Sequence, residues 1–183
     1  MIYKGKYKIS SPYGERKLNG IVSFHKGVDF VGLESKEIIS PVKGIVKSSA
    51  IITDKSNLTW EWGNYIRIDT EDEHRLFFCH LSERLVHVGQ KINVGDIIGI
   101  EGNTGYSFGS HCHFEVRTKD NVSIPPIDYL EKLQQNEELT IEKAIKIIQE
   151  NATLDDNTMK YLCFYKYSDS LILKLAQAIN KNK

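Results

Sequence analysis

At 183 residues the chain has room for one well-packed domain with an appendage, or for two small units. Lysine plus arginine balances aspartate plus glutamate at 24 each, so no global field argues for nucleic acid or an anionic membrane, and a polyanionic partner would need a local patch. The three cysteines, Cys79, Cys112 and Cys163, are odd in number and widely spaced, which argues against the disulfide framework of a small secreted domain.

The stretch from Met1 to Tyr7 has no apolar signal core, and no run elsewhere reaches the roughly eighteen apolar residues of a spanning helix. The expected product is soluble and made in the cytoplasm, unless a removed leader precedes it. From residue 8 to about 118, glycines punctuate short β-branched runs, the mark of an all-β domain with closely spaced turns. His25 to Val31 reads as extended, because Val28, Phe30 and Val31 favour a strand and Gly27 would weaken a helix. Further strands are predicted at Gly44 to Ala50, Tyr65 to Thr70, Arg75 to Cys79, Asp96 to Gly102 and His113 to Thr118. Glu71-Asp72-Glu73-His74 falls between two of these and reads as a solvated hairpin loop, not a cation site.

Beyond Pro125-Pro126 the pattern changes to helical. Ile127 to Leu133 is predicted as a short closing helix, followed by a polar connector, Gln134 to Glu138. Thr140 is then read as the N-cap of a helix carrying Ile141, Ala144, Ile145 and Ile148 at helical spacing. Asp155-Asp156 starts a second helix through Lys166, and Ser168 caps a third with Leu171, Ile172, Leu175 and Ile179 on one face. The expected architecture is a mainly β domain of antiparallel sheets over residues 1–133 and a small α-helical region over 134–183. Tyr161, Phe164, Tyr165 and Tyr167 are expected to pack the tail's own core or a helix partner, with a wall-binding surface as the alternative. So small a unit buries little surface alone, so docking or homo-oligomerisation through these helices is expected.

Four of the six histidines, His25, His80, His111 and His113, fall in segments that can form one site. In an extended strand, residues of equal parity share a face, so His111 and His113 project together, as would His25 and Asp29 if that stretch is extended. Zinc accepts imidazole nitrogen and carboxylate oxygen in a tetrahedral shell, and a catalytic site keeps one position for water. His25, Asp29 and one histidine of the 111/113 pair supply three ligands for one Zn2+ ion, which leaves the other histidines for proton transfer. His74 and His87 have no ligand-like neighbours and read as structural. Cys79 and Cys112 alternate with the histidines, so both thiols are expected to turn away from the site as buried apolar groups. The glycine-rich run from Gly102 to Ser110 leads into the pair and lets backbone approach a substrate closely.

Three motifs in order, His25-Lys26-Gly27-Val28-Asp29, Cys79-His80-Leu81 and His111-Cys112-His113, resemble those of the lysostaphin-type, LytM-like zinc metallopeptidases, a duplicated-hybrid-motif family. Ser11-Pro12-Tyr13-Gly14-Glu15-Arg16, Gly63-Asn64-Tyr65 and Gly102-Asn103-Thr104-Gly105 resemble its accessory segments, so the likeness covers about residues 8 to 130. The resemblance implies that His25, Asp29 and His113 hold zinc and that His80 and His111 act on the nucleophilic water and scissile carbonyl. Which of the two is general base and which steadies the oxyanion stays open. Arg16 and Asn64 are candidates for substrate contacts in the groove. Phe78 stands where the family often carries Tyr, and Cys112 where Leu is usual; Phe78 shares parity with His80 and is expected near the groove. The implied activity is hydrolysis of amide bonds in stem peptides or cross-bridges of bacterial peptidoglycan. The implied setting is a phage or prophage endolysin that acts on the wall after release or as part of a virion. A catalytically silent wall-binding or hydrolase-activating module of the same fold is the alternative reading.

Overall fold

The computed structural model of the chain describes residues 1–18, 20–56, 60–152, 155–164 and 168–181. The first strands are β1 (Tyr7–Ser11), β2 (Gly14–Leu18), β3 (Ile21–His25), β4 (Val28–Gly32), β5 (Glu37–Ile39) and β6 (Gly44–Ile51). A 3-10 turn at Trp60–Trp62 leads into β7 (Asn64–Asp69), β8 (Arg75–Cys79), β9 (Glu83–Arg84), β10 (Lys91–Ile92) and β11 (Ile97–Ile100). Then come β12 (Cys112–Arg117), β13 (Ser123–Ile124), α1 (Pro126–Ala152), α2 (Asp156–Phe164) and α3 (Ser168–Lys181).

All pairings are antiparallel, and the main sheet has the order β1-β4-β12-β8-β7-β6-β10, with β13 paired to the end of β12. Strands β5, β11 and β9 form a second sheet, and β2 pairs with β3 in a separate hairpin. The sequence of β12 explains its central place. Cys112, Phe114 and Val116 alternate with His113, Glu115 and Arg117, so one face is apolar and the other carries chemistry. On the apolar face Phe114 lies opposite Phe78 and Val28, and Phe78 lies opposite Ile66. Phe30, Phe78, Phe114, Ile66, Ile68 and Leu76 are all at most 1% exposed, each contributing about 1.5–3 kcal/mol by burial. The site is thus built on a strand whose other face is core.

The predicted strands are present: Arg75 to Cys79 coincides with β8, and the ends of the others differ by at most two residues. The stretch from His25 to Asp29 differs: β3 ends at His25, β4 begins at Val28, and the two belong to different sheets. Shared parity along one strand therefore does not join His25 to Asp29; the chain bends at Lys26-Gly27. A Cβ on Gly27 would lie 2.6 Å from the Phe114 carbonyl oxygen and 2.7 Å from His113 Cε1, so the bend closes only with glycine there. Phe78 also differs from expectation. It is fully buried against Phe114, with ring centroids 5.0 Å apart, because β8 ends at Cys79 and parity does not carry on to His80.

The helical region departs from the expected helix, connector and capped helix. One continuous α1 runs from Pro126 to Ala152, through the supposed connector and past Thr140. Gln134 to Glu138 contains no Gly or Pro and consists mostly of good helix formers, so polarity alone does not break it. By contact density the chain divides into the units Met1–Leu130 and Glu131–Lys183. In the second unit Ala144, Ile148, Ile172 and Ala176 form the core, with Ile145, Ile147, Leu162 and Leu173 packed around them. Asp155 caps α2 by accepting the Thr158 N–H at 2.8 Å. Tyr161 is exposed, not packed in the tail's core as expected; on the face of α3 that carries the buried Ile172, Leu171 and Leu175 are partly exposed. Tyr165 and Tyr167 and the side chains of Ile141, Cys163, Phe164 and Ile179 lie outside the described residues.

Candidate functional site

Asp29 on β4 lies directly opposite His113 on β12, which places both side chains on one face of the main sheet. His25 arrives from the end of β3. Together they bring His25 Nε2 3.0 Å from His113 Nδ1, His113 Nδ1 2.8 Å from Asp29 Oδ1, and His25 Nε2 3.2 Å from the same oxygen. Among the described residues these three form a cluster able to hold a metal ion.

The partners of the other ring nitrogens fix which atoms are offered. His25 Nδ1 lies 2.8 Å from the Pro12 carbonyl, which can only accept, so Nδ1 carries the proton and the Nε2 lone pair faces His113. His113 Nε2 lies 3.0 Å from Glu115 Oε1, so it donates there and leaves Nδ1 toward Asp29. Two imidazole nitrogens and a carboxylate oxygen thus converge on one point, a set that suits zinc. The fit comes from the donor atoms themselves: two ring nitrogens 3.0 Å apart, beside a carboxylate, need a proton or a cation between them.

His80 and His111 occupy the same cleft, their ring centroids 4.7 Å apart. The His80 Nδ1–H donates to the Thr104 carbonyl at 2.8 Å, and the His111 Nδ1–H donates to the Gly109 carbonyl at 2.8 Å. Each therefore keeps Nε2 free when neutral, and His111 Nε2 lies 3.6 Å from Asp29 Oδ1. His80 adopts φ 64°, a left-handed conformation unusual for a residue with a side chain. Its N–H donates to the Trp62 carbonyl at 2.8 Å, and Thr104 ties the adjoining turn by donating its hydroxyl to Leu81 O and accepting Asn64 N–H.

Electrostatics separates these groups. Burial alone would raise the Asp29 carboxyl, but hydrogen bonds from His113 and His25 outweigh it and hold the group well below the usual carboxylate range. Burial lowers His80 to about 4, helped by the neighbouring His111, so His80 is neutral at pH 7. Burial opposes charge on His113 too, yet hydrogen bonds to Asp29 and Glu115 raise it to about 9.

The cleft holds about 1180 Å³ and is lined by all five of these residues, with Tyr106 and Phe108 at its rim. Arg16 lines it too, but its guanidinium points at Asp29 Oδ2 (3.5 Å) and at Ser11 Oγ (3.1 Å). Asn64 is not brought into the cleft: its amide turns to the Ser82 carbonyl at 3.4 Å, and its backbone is tied to Thr104 and Leu81. Cys79 and Cys112 are buried free thiols, both raised by burial. Cys79 nevertheless lies opposite His113 in the sheet and so shares its face, contrary to the alternation argument, because His80 is carried by a turn.

Sequence reasoning missed two carboxylates. Glu115 follows His113 by two residues, so strand alternation already placed it on the site face. Glu101 is buried, accepts from Tyr3 Oη, Gly32 N, Lys36 Nζ and Ser110 Oγ at 2.6–2.7 Å, and so anchors the loop next to His111. Nothing local in the sequence marks Glu101, since its partners come from three separate segments, around Tyr3, Gly32 to Lys36, and Ser110.

Residues 23–126 match the model of peptidase family M23. The catalytic domain of lysostaphin from Staphylococcus simulans has a TM-score of 0.59 and 30% identity, covering 68% of this chain and 92% of that one. Glycyl-glycine endopeptidase ALE-1 of Staphylococcus capitis is 33% identical over 128 residues, 68% of this chain and 34% of its own length. Peptidoglycan DD-endopeptidase ShyA of Vibrio cholerae is 33% identical over 114 residues, 61% of this chain and 25% of its own. The aligned stretch spans between 21% and 48% of these curated relatives' own length.

Proposed function

Because the chain belongs to peptidase family M23, we propose that it is a zinc-dependent endopeptidase that hydrolyses amide bonds in stem peptides or cross-bridges of bacterial peptidoglycan. The observation that carries this reading is the convergence of His25 Nε2, Asp29 Oδ1 and His113 Nδ1 in a cleft that also presents His80 and His111. Relatives named as a glycyl-glycine endopeptidase and a peptidoglycan DD-endopeptidase support the substrate class.

His25, Asp29 and His113 would hold one zinc ion, which supplies a Lewis acid for attack of water on an amide. His80 enters neutral at pH 7, with Nε2 able to accept a proton in the cleft. His111 offers a second imidazole within 4.7 Å of it, centroid to centroid, so the pair can take a proton from water and return one to the leaving amine. Arg16, on the outer oxygen of Asp29, keeps that carboxylate aimed inward. The catalytically silent alternative is disfavoured because all five groups are present and face one space.

The test is turbidity of purified cell walls. Zinc-loaded protein lowers it, whereas His111→Ala and Asp29→Ala do so at least about 100-fold more slowly. Undiminished lysis by either variant would sink the assignment. Among the described residues no helix is long and apolar enough to cross a membrane. The proposed setting is a phage or prophage lysin, made in the cytoplasm and delivered to the wall by release or on a virion. A coding position beside lysis or tail genes checks it.

A further inference from the structure

We propose that Glu115 is a positioning residue for the metal centre, clamped by Arg117, and that it sets the tautomer and ring orientation with which His113 meets the ion. The proposal rests on the reading of His113 as a ligand and goes beyond it to what holds that ligand.

Strand alternation puts His113, Glu115 and Arg117 in a row on one face of β12. Glu115 is 3% exposed, and both of its oxygens are engaged. Oε1 accepts from His113 Nε2 at 3.0 Å, and Oε2 accepts from Arg117 Nε at 2.6 Å and lies 2.5 Å from its Nη2. A buried carboxylate needs such a cation, and with Oε2 on the guanidinium and Oε1 on the His113 ring the carboxylate is held at both oxygens. The guanidinium is itself held by aromatic faces, with Cζ 4.9 Å from the Phe77 centroid and 5.4 Å from that of Trp62.

The ring has no room to evade this grip. A Cβ at position 27 would meet His113 Cε1 at 2.7 Å and Glu115 Cγ at 2.9 Å, so the backbone of Gly27 is packed against both side chains. An imidazole with Nε2–H committed to Glu115 can offer only Nδ1, the atom beside His25 Nε2 and Asp29 Oδ1. Trp62, the aromatic under Arg117, also accepts the His80 N–H through its carbonyl. One chain of contacts therefore aims the ligand and braces the turn that carries His80.

The test compares wild type with Glu115→Gln and Glu115→Ala by zinc competition against a chromophoric chelator and by imidazole 15N spectra of the zinc-loaded proteins. Glu115→Gln, close in shape, keeps an acceptor for Nε2–H without the charge and is expected to bind zinc about 10-fold more weakly; Glu115→Ala weakens binding about 100-fold. Wild type is expected to show His113 as a single Nε2-protonated form, and Glu115→Ala to lose that signature. Thermal unfolding of the zinc-free proteins gives the purely structural effect, and should Glu115→Ala not fold, Glu115→Gln decides alone. Wild type that takes up no stoichiometric zinc overturns the ligand reading itself. Wild type that binds zinc while Glu115→Gln binds equally well, with the His113 signature unchanged, overturns the positioning role alone.

Discussion

His113 sits between two carboxylates, and this decides how the centre fills. With Asp29 on Nδ1 and Glu115 on Nε2, the metal-free ring holds both protons at pH 7, its pKa raised to about 9 against an ordinary 6.5. Nδ1 can serve an ion only after losing its proton. Zinc uptake near pH 7 should therefore release about one proton from His113, and apparent affinity should climb with pH until it levels at about 9. Calorimetry in two buffers of different ionisation enthalpy measures the release, and an uptake near neutral pH with no proton displaced would contradict it. A raised His113 contributes stability to the metal-free protein fully below about 6.5, lost as pH rises through about 9. His80, lowered to about 4, contributes stability above about 6.5 that is lost as pH falls through about 4. At this scale His111 and His113 were legible from parity, and Glu115 should have been. Asn64 was expected in the groove; the structure ties its N–H to Thr104 Oγ1 and its carbonyl to the Leu81 N–H, backbone contacts that no residue type announces.

Tight turns, more than strands, bring the groups together. His25 reaches Asp29 through the bend at Gly27, and His80 reaches the cleft by a left-handed turn after β8. Both defeat parity arguments, which hold only within one strand, and the turn at His80 explains why Phe78 and Cys79 face opposite to expectation. The turn at His80 is held against a second close approach. Gly63 has φ 60°, and a Cβ there would lie 2.4 Å from Gly105 N and 2.5 Å from the Thr104 carbonyl carbon. Gly63→Ala should thus cost about 2 kcal/mol or more in thermal unfolding and slow wall lysis, because Thr104 orients His80. Gly89→Ala, at φ 88° with open space around it, should cost only about 1 kcal/mol and leave lysis unchanged. Equal effects at the two glycines would refute the crowding. The strands themselves were legible because alternation and punctuation by glycine are local. The continuous α1 was not, since a polar stretch rich in Gln and Glu is as good a helix as it is a connector.

The molecule as a whole joins a β-sheet unit that carries every residue of the site to a helical unit with a small core of its own. The sheet order was not legible, because β12 pairs with strands far away in sequence and only the tertiary core selects them. Among the described residues of the helical unit, Ala144, Ile148, Ile172 and Ala176 are the buried ones, and we propose that the unit self-associates. Sedimentation of the full chain at micromolar concentration should then show a dimer or larger species that is lost when the chain ends near Glu137, and a monomer would count against it. We propose that one cleft, through His25, Asp29, His113, His80 and His111, cuts amide bonds of the wall. Mass spectrometry of muropeptides released from purified walls by zinc-loaded protein tests it most directly. The expected fragments have each gained one water at a peptide bond, and they are lost on chelation and in His111→Ala. Walls left intact by folded, zinc-loaded protein, or the same fragments from the variant, would contradict it.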